Sequence, residues 1–138
     1  MEGDLDPTHW LHRLSASQWL AAAETELKHC EETLTRRAFR PGVTHARRAA
    51  GMALNGVLAV EESQHPSWGR SYMEHVAALA EDAAAPEAVR EAARLLRDTP
   101  PAPPALVTLG RPDLRPLEAA RTIRDWARGR VLQLSVKG

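Results

Sequence analysis

The chain lacks an excess of charge of either sign, because Lys+Arg and Asp+Glu each number 18. It therefore has no overall field of the kind that draws a protein to nucleic acid or an acidic membrane. Lysine is scarce, and nearly all the cations are arginine, whose planar fork suits bidentate and stacking contacts. The single cysteine excludes an internal disulfide. No apolar run approaches the roughly 18 residues that a membrane span needs, and no basic-then-apolar start suggests export. These absences lead us to expect a soluble cytoplasmic protein with no membrane contact. A Gly-rich phosphate loop, a Walker pattern and a Gly-x-Ser-x-Gly elbow are also missing. The adjacent acids Glu61-Glu62 and Glu81-Asp82 diverge by about 100° on a helix, which fits solvated faces better than a paired-acid site.

What is present fits one globular domain. At 138 residues, with 43% hydrophobic and 26% charged residues, the chain can bury a real core and is not of disordered composition. Residues 43–60 are its organising stretch. At about 100° per residue, Ala46, Ala50, Ala53 and Val57 fall on one line. Val43, Ala49, Leu54 and Val60 flank that line, and Arg48, Asn55 and Glu62 lie opposite. The stripe is made mostly of small side chains, so other helices can approach it closely. An aspartate at Leu54 is expected to unfold the domain, and the same change at Asn55 to be mild unless that face is an interface.

The remaining elements follow from similar signals. Residues 1–14 form an acidic N-terminal extension ending near His9-Trp10-Leu11-His12. His9 and His12 sit at i,i+3, but no further Cys or His stands at a zinc-site spacing; no metal or other cofactor is expected. Ser15-Ala16-Ser17-Gln18 reads as a capping box. It opens a helix with Trp19, Leu20, Ala23, Leu27, Cys30, Leu34 and Ala38 on one face, so Cys30 is a core residue rather than a nucleophile. Arg40-Pro41-Gly42 is expected to end this helix, and the central helix then runs to about Glu62. A polar loop and a cap at Ser71 lead to a third helix with Tyr72, Val76, Leu79 and Ala83 in line. Pro86, in a first-turn position, opens a fourth with Val89, Ala92, Ala93 and Leu96, separate from the third. Prolines make the segment at about 99–116 an irregular loop, carrying an apolar patch at 105–109. A last helix over about 117–134 buries Ala119, Ala120, Ile123, Trp126, Ala127 and Leu134. Arg130 falls within its apolar arc and must snorkel, pair with a carboxylate, or face a second subunit. Residues 15–138 are thus expected to form an all-α, four- to five-helix up-and-down bundle.

The stretch His45-Ala46-Arg47-Arg48-Ala49-Ala50-Gly51-Met52-Ala53-Leu54 resembles the second-helix signature of HEPN domains. Glu118-Ala119-Ala120-Arg121-Thr122-Ile123 resembles that family's C-terminal helix, which follows an irregular loop. The resemblance covers residues 15–135. Two departures stand out: Gly51-Met52 replaces a common Glu-Lys, and Ser71-Tyr72-Met73-Glu74 stands where a His-Asp-Leu opening is usual. The resemblance implies a helical bundle, often dimeric, that binds or acts on nucleic acid or nucleotides. It also implies, for many members, metal-independent ribonuclease or toxin chemistry on an Arg-x(4–6)-His motif. Histidine moves protons near neutral pH and arginine stabilises charge on phosphate, so the residue types suit RNA cleavage.

Two segments match that motif, Arg70-Ser71-Tyr72-Met73-Glu74-His75 and Arg40-Pro41-Gly42-Val43-Thr44-His45. Sixteen arginines and six histidines in this chain supply about two such matches by chance, so spacing alone selects neither. Residues i and i+5 of one helix point about 140° apart, so the arginine must precede the helix. Arg70, next to Gly69, meets that condition; Arg70 and His75 are the candidate catalytic pair.

Charge distribution adds candidate binding residues. Arg36, Arg37, Arg40, Arg47 and Arg48 cluster with no acid between Glu32 and Glu61, and Arg121, Arg124 and Arg128 form a stripe. Residues 111–138 carry seven Lys/Arg against three acids, whereas residues 61–91 carry seven acids against two arginines. Separated signs of this kind let one side meet a phosphate backbone, or let one copy dock on another; solubilising faces are the plain alternative. The expectation is a homodimeric, non-catalytic module binding nucleic acid or a partner protein. The alternatives are a metal-independent HEPN endoribonuclease of toxin–antitoxin type and a structural protein–protein adaptor.

Overall fold

Serine hydroxyls start two of the helices. In a computed structural model describing residues 14–61, 68–100 and 111–137, the Ser15 Oγ accepts from the Gln18 amide at 3.2 Å, while Gln18 Oε1 accepts from the Ser15 amide at 2.8 Å. Ser71 and Glu74 form the same reciprocal box at 3.1 and 2.9 Å. Each box satisfies backbone donors that a helix start would otherwise leave unpaired. The described residues are all-helical with no strand: α1 (Ala16–Thr35), α2 (Phe39–Val60), α3 (Tyr72–Ala80), α4 (Glu87–Asp98) and α5 (Arg115–Lys137). His9, Trp10, His12 and the apolar patch at 105–109 lie outside the described residues.

α1 stops earlier than the Arg40-Pro41-Gly42 signal suggests. The Ala38 amide bonds the Thr33 carbonyl at 2.8 Å, and the Arg37 amide bonds the Leu34 carbonyl at 2.9 Å. That is a complete Schellman turn, with Arg37 in the left-handed region (φ 66) where glycine is usual. α2 then begins at Phe39 and carries Pro41 and Gly42 in its first turn. Proline costs nothing there, because first-turn amides have no intrahelical partner. Gly42 serves packing instead: a Cβ would lie 2.3 Å from Leu34 Cδ2.

α2 is the centre of the bundle, packed against α1, α5 and α3, with α4 bridging α3 and α5. Ala46, Ala49, Ala50, Ala53, Leu54 and Val57 are all fully buried. Gly51 marks the crossing with α3, where a Cβ would come within 2.3 Å of Tyr72 Cβ. Asn55, placed opposite the stripe by its helical phase, is also fully buried. The reason is that helices cover the C-terminal half of α2 on several sides, leaving no polar face there. In the core, each enclosed Leu, Val or Ile contributes roughly 1.5–3 kcal/mol; exposed ion pairs typically give about 0–1 kcal/mol each. Packing therefore dominates the fold.

Other differences are local. α3 ends at Ala80, so Ala83 lies exposed in the link to α4 rather than on the apolar line. Pro86 is the residue before α4 rather than its first. α5 starts at Arg115, inside the expected loop, and Trp126 and Leu134 are only half-buried. Arg130 pairs with the carboxylate of Glu61 at 3.0 Å. No helix among the described residues is long and apolar enough to cross a membrane.

Candidate functional site

The capping box at Ser71 sets His75 one turn into α3, facing inward. His75 is 1% exposed. Its Nδ1 lies 2.7 Å from the Trp68 carbonyl oxygen and its Nε2 lies 2.9 Å from Asn55 Oδ1. A backbone carbonyl can only accept, so Nδ1 carries the proton and donates to Trp68. Burial holds the imidazole below its ordinary pKa, which favours the neutral ring, opposed only in part by that carbonyl and Glu74. Nε2 is then an acceptor and needs a donor. Hydrogen-bond chemistry selects the amide orientation in which Asn55 Nδ2 donates to it. The same rotation supplies a partner for Nδ2, which is buried and otherwise has none. His75, Asn55 and the Trp68 carbonyl form an enclosed polar node linking α2 to the chain entering α3.

Arg70 stands before the start of α3, as the Arg-x4-His motif requires, but it is exposed. Its backbone amide and that of Ser71 donate to Glu74, holding that carboxylate below its usual range. Both ring nitrogens of His75 are engaged, so neither is presented to a substrate at the surface. In the second match, Arg40 is exposed and His45 Nδ1 lies 2.7 Å from Glu26 Oε1. The Cys30 thiol is enclosed in the core, where burial pushes its pKa up to about 12; it is no nucleophile near neutral pH.

The eight candidate binding arginines divide into three groups. Arg47 is structural: its Nε donates to the Leu96 carbonyl at 2.8 Å and a guanidinium nitrogen to the Thr99 carbonyl at 3.0 Å. It thereby caps the C-terminus of α4, where unpaired carbonyls and the helix dipole both favour a cation. A second group is met by acids of α1. Arg124 pairs with Glu24, Arg128 approaches Glu24 at 3.7 Å, Arg121 approaches Glu31 at 3.4 Å, and Arg48 approaches Glu26 at 3.5 Å. The α5 stripe is thus largely balanced by the opposite helix. The third group, Arg36, Arg37 and Arg40, is exposed together around the Schellman turn, and neither Arg36 nor Arg40 is in an ion pair among the described residues.

An open cleft of about 400 Å³ beside this turn is lined by Lys28, Glu31, Glu32, Thr35 and Arg36. A second, of about 250 Å³, lies between Phe39, Leu95, Thr99 and Asp113. In the latter, Arg115 holds the Asp113 carboxyl below its usual range through a 2.7 Å pair. Neither cleft contains a histidine or a cysteine. Sequence reasoning missed Asn55, Glu24 and Glu26, whose partners come from other helices; only the phase of α1 could have pointed to the two glutamates.

The fold and site describe an all-helical protein with an exposed basic turn and an enclosed histidine. Comparison with protein-family models, with curated proteins and with solved structures found no match.

Proposed function

We propose that this chain is a HEPN-like, non-catalytic binding module, homodimeric and cytoplasmic, that grips the phosphate backbone of a nucleic acid through Arg36, Arg37 and Arg40. The observation that carries this reading is the division of the arginines: those on α5 and on the body of α2 are met by acids or carbonyls, whereas Arg36 and Arg40 at the α1–α2 turn are exposed and in no ion pair among the described residues. The burial of His75 favours binding over cleavage, because a general base must reach the proton it removes.

The test is binding of a fluorescent single-stranded RNA across a salt series. Three phosphate contacts give a log–log slope of about −2, and so a loss of about 20-fold between 50 and 200 mM salt. The double variant Arg36→Ala/Arg40→Ala should flatten the slope by more than half, while Arg70→Ala should leave it unchanged. Salt-independent association, or none, would remove the phosphate reading in favour of a protein-recognising adaptor. RNA cleavage in EDTA that is lost in His75→Gln with the fold intact would instead establish the ribonuclease.

A further inference from the structure

α1 places Glu26 and His29 three residues apart, so both project from one face of the helix. α2 returns beside it and brings His45 to the same place. His45 Nδ1 is 2.7 Å from Glu26 Oε1, and the His29 and His45 rings lie 5.3 Å apart between centroids. One donor atom from each of the three side chains lies within 4.8 Å of the others. Two imidazoles and a carboxylate are the donor set that zinc and its borderline neighbours prefer, and three protein ligands leave a fourth position for water.

We propose that Glu26, His29 and His45 form a zinc-type divalent metal site that joins α1 to α2. Tetrahedral bonds of about 2.0–2.1 Å set donor atoms about 3.3 Å apart. The His45–Glu26 pair must then open by about 0.6 Å and the widest pair close by at most about 1.5 Å. His29 is exposed, so turning its ring supplies the closure without backbone movement. The ion takes the place of the hydrogen bond that now joins His45 Nδ1 to Glu26 Oε1. Arg48 lies 3.5 Å from the other Glu26 oxygen and leaves Oε1 for the metal; Arg48 acts as a positioning residue. Cys30, next in sequence to His29, points into the core and takes no part.

The experiment uses the full chain, tag-free and stripped of metal, titrated with Co²⁺ while the visible bands of tetrahedral cobalt are recorded, and with Zn²⁺ by calorimetry. One equivalent should bind. His29→Ala removes only an exposed side chain, so circular dichroism should stay unchanged while affinity falls at least 10-fold; Glu26→Gln and His45→Gln should weaken binding similarly. The variant His9→Ala/His12→Ala should bind as the wild type does. The proposal is overturned if no single-equivalent uptake occurs, if His29→Ala binds as well as the wild type, or if removing His9 and His12 abolishes uptake. None of these outcomes depends on RNA binding.

Discussion

Replacing Asn55 by alanine separates what helical phase implies from what packing does. By phase the position faces away from the apolar stripe, which would make the change nearly neutral. In the structure it is fully buried and supports His75 Nε2. The substitution removes a hydrogen bond and leaves the buried imidazole nitrogen unpaired, which together cost about 1–3 kcal/mol. The small cavity adds to that. A total of about 2–4 kcal/mol is expected, against a stability of about 5–15 kcal/mol for a domain of this kind. Urea unfolding at pH 7.5 should show the midpoint falling by about 1–2 M, with the slope unchanged, for a slope near 2 kcal/mol/M. The double-mutant cycle with His75→Ala should recover a coupling of at least about 0.5 kcal/mol, because the two residues share one bond. A loss below about 0.5 kcal/mol, or additive effects in the cycle, would refute the enclosed node.

Three further outcomes follow from the same geometry. His75 has a lowered folded pKa, so the unfolded chain binds the proton first; stability should fall as pH drops below about 6.5, by up to about 1.4 kcal/mol per unit for one proton. Subtracting the same pH series for His75→Gln isolates this contribution, and a wild-type minus variant difference flat from pH 7.5 to 5 would contradict it. Cys30 should resist a thiol reagent in the native protein and react in urea; rapid native labelling would show that α1 opens. Arg47→Ala should cost about 1–2 kcal/mol through the lost cap of α4 yet leave RNA affinity unchanged, the reverse of Arg36→Ala/Arg40→Ala.

The helices were legible because their signals are local. The Ser15 box, the alanine line of α2 and the Val89–Leu96 face each lie within one element and need only periodicity to be read. Asn55 was misplaced because phase marks one face, whereas α2 is covered on several, and no single-helix pattern reports how many neighbours pack against it. α1 ends at Thr35, ahead of the Arg40-Pro41-Gly42 signal, since a Schellman turn closed by arginine carries no glycine. Arg47 looked like one more member of a basic cluster; its partners are carbonyls 49 and 52 residues away. The Glu26–His29–His45 group hides for a related reason, since the Arg40-Pro41-Gly42 signal marks a turn but not which faces of α1 and α2 meet beyond it.

The arginine-closed turn bears on the order of assembly. α1 and α2 are joined by three residues, so bringing them side by side costs little loop entropy, whereas α5 meets Glu24 and Glu31 across 100 and 90 residues. The α1–α2 hairpin is therefore expected to be the nucleus on which the rest condenses. Alanine-to-glycine pairs at exposed positions of α1 should slow refolding, and those on α5 should chiefly hasten unfolding; stopped-flow chevrons with the opposite pattern would exclude this order.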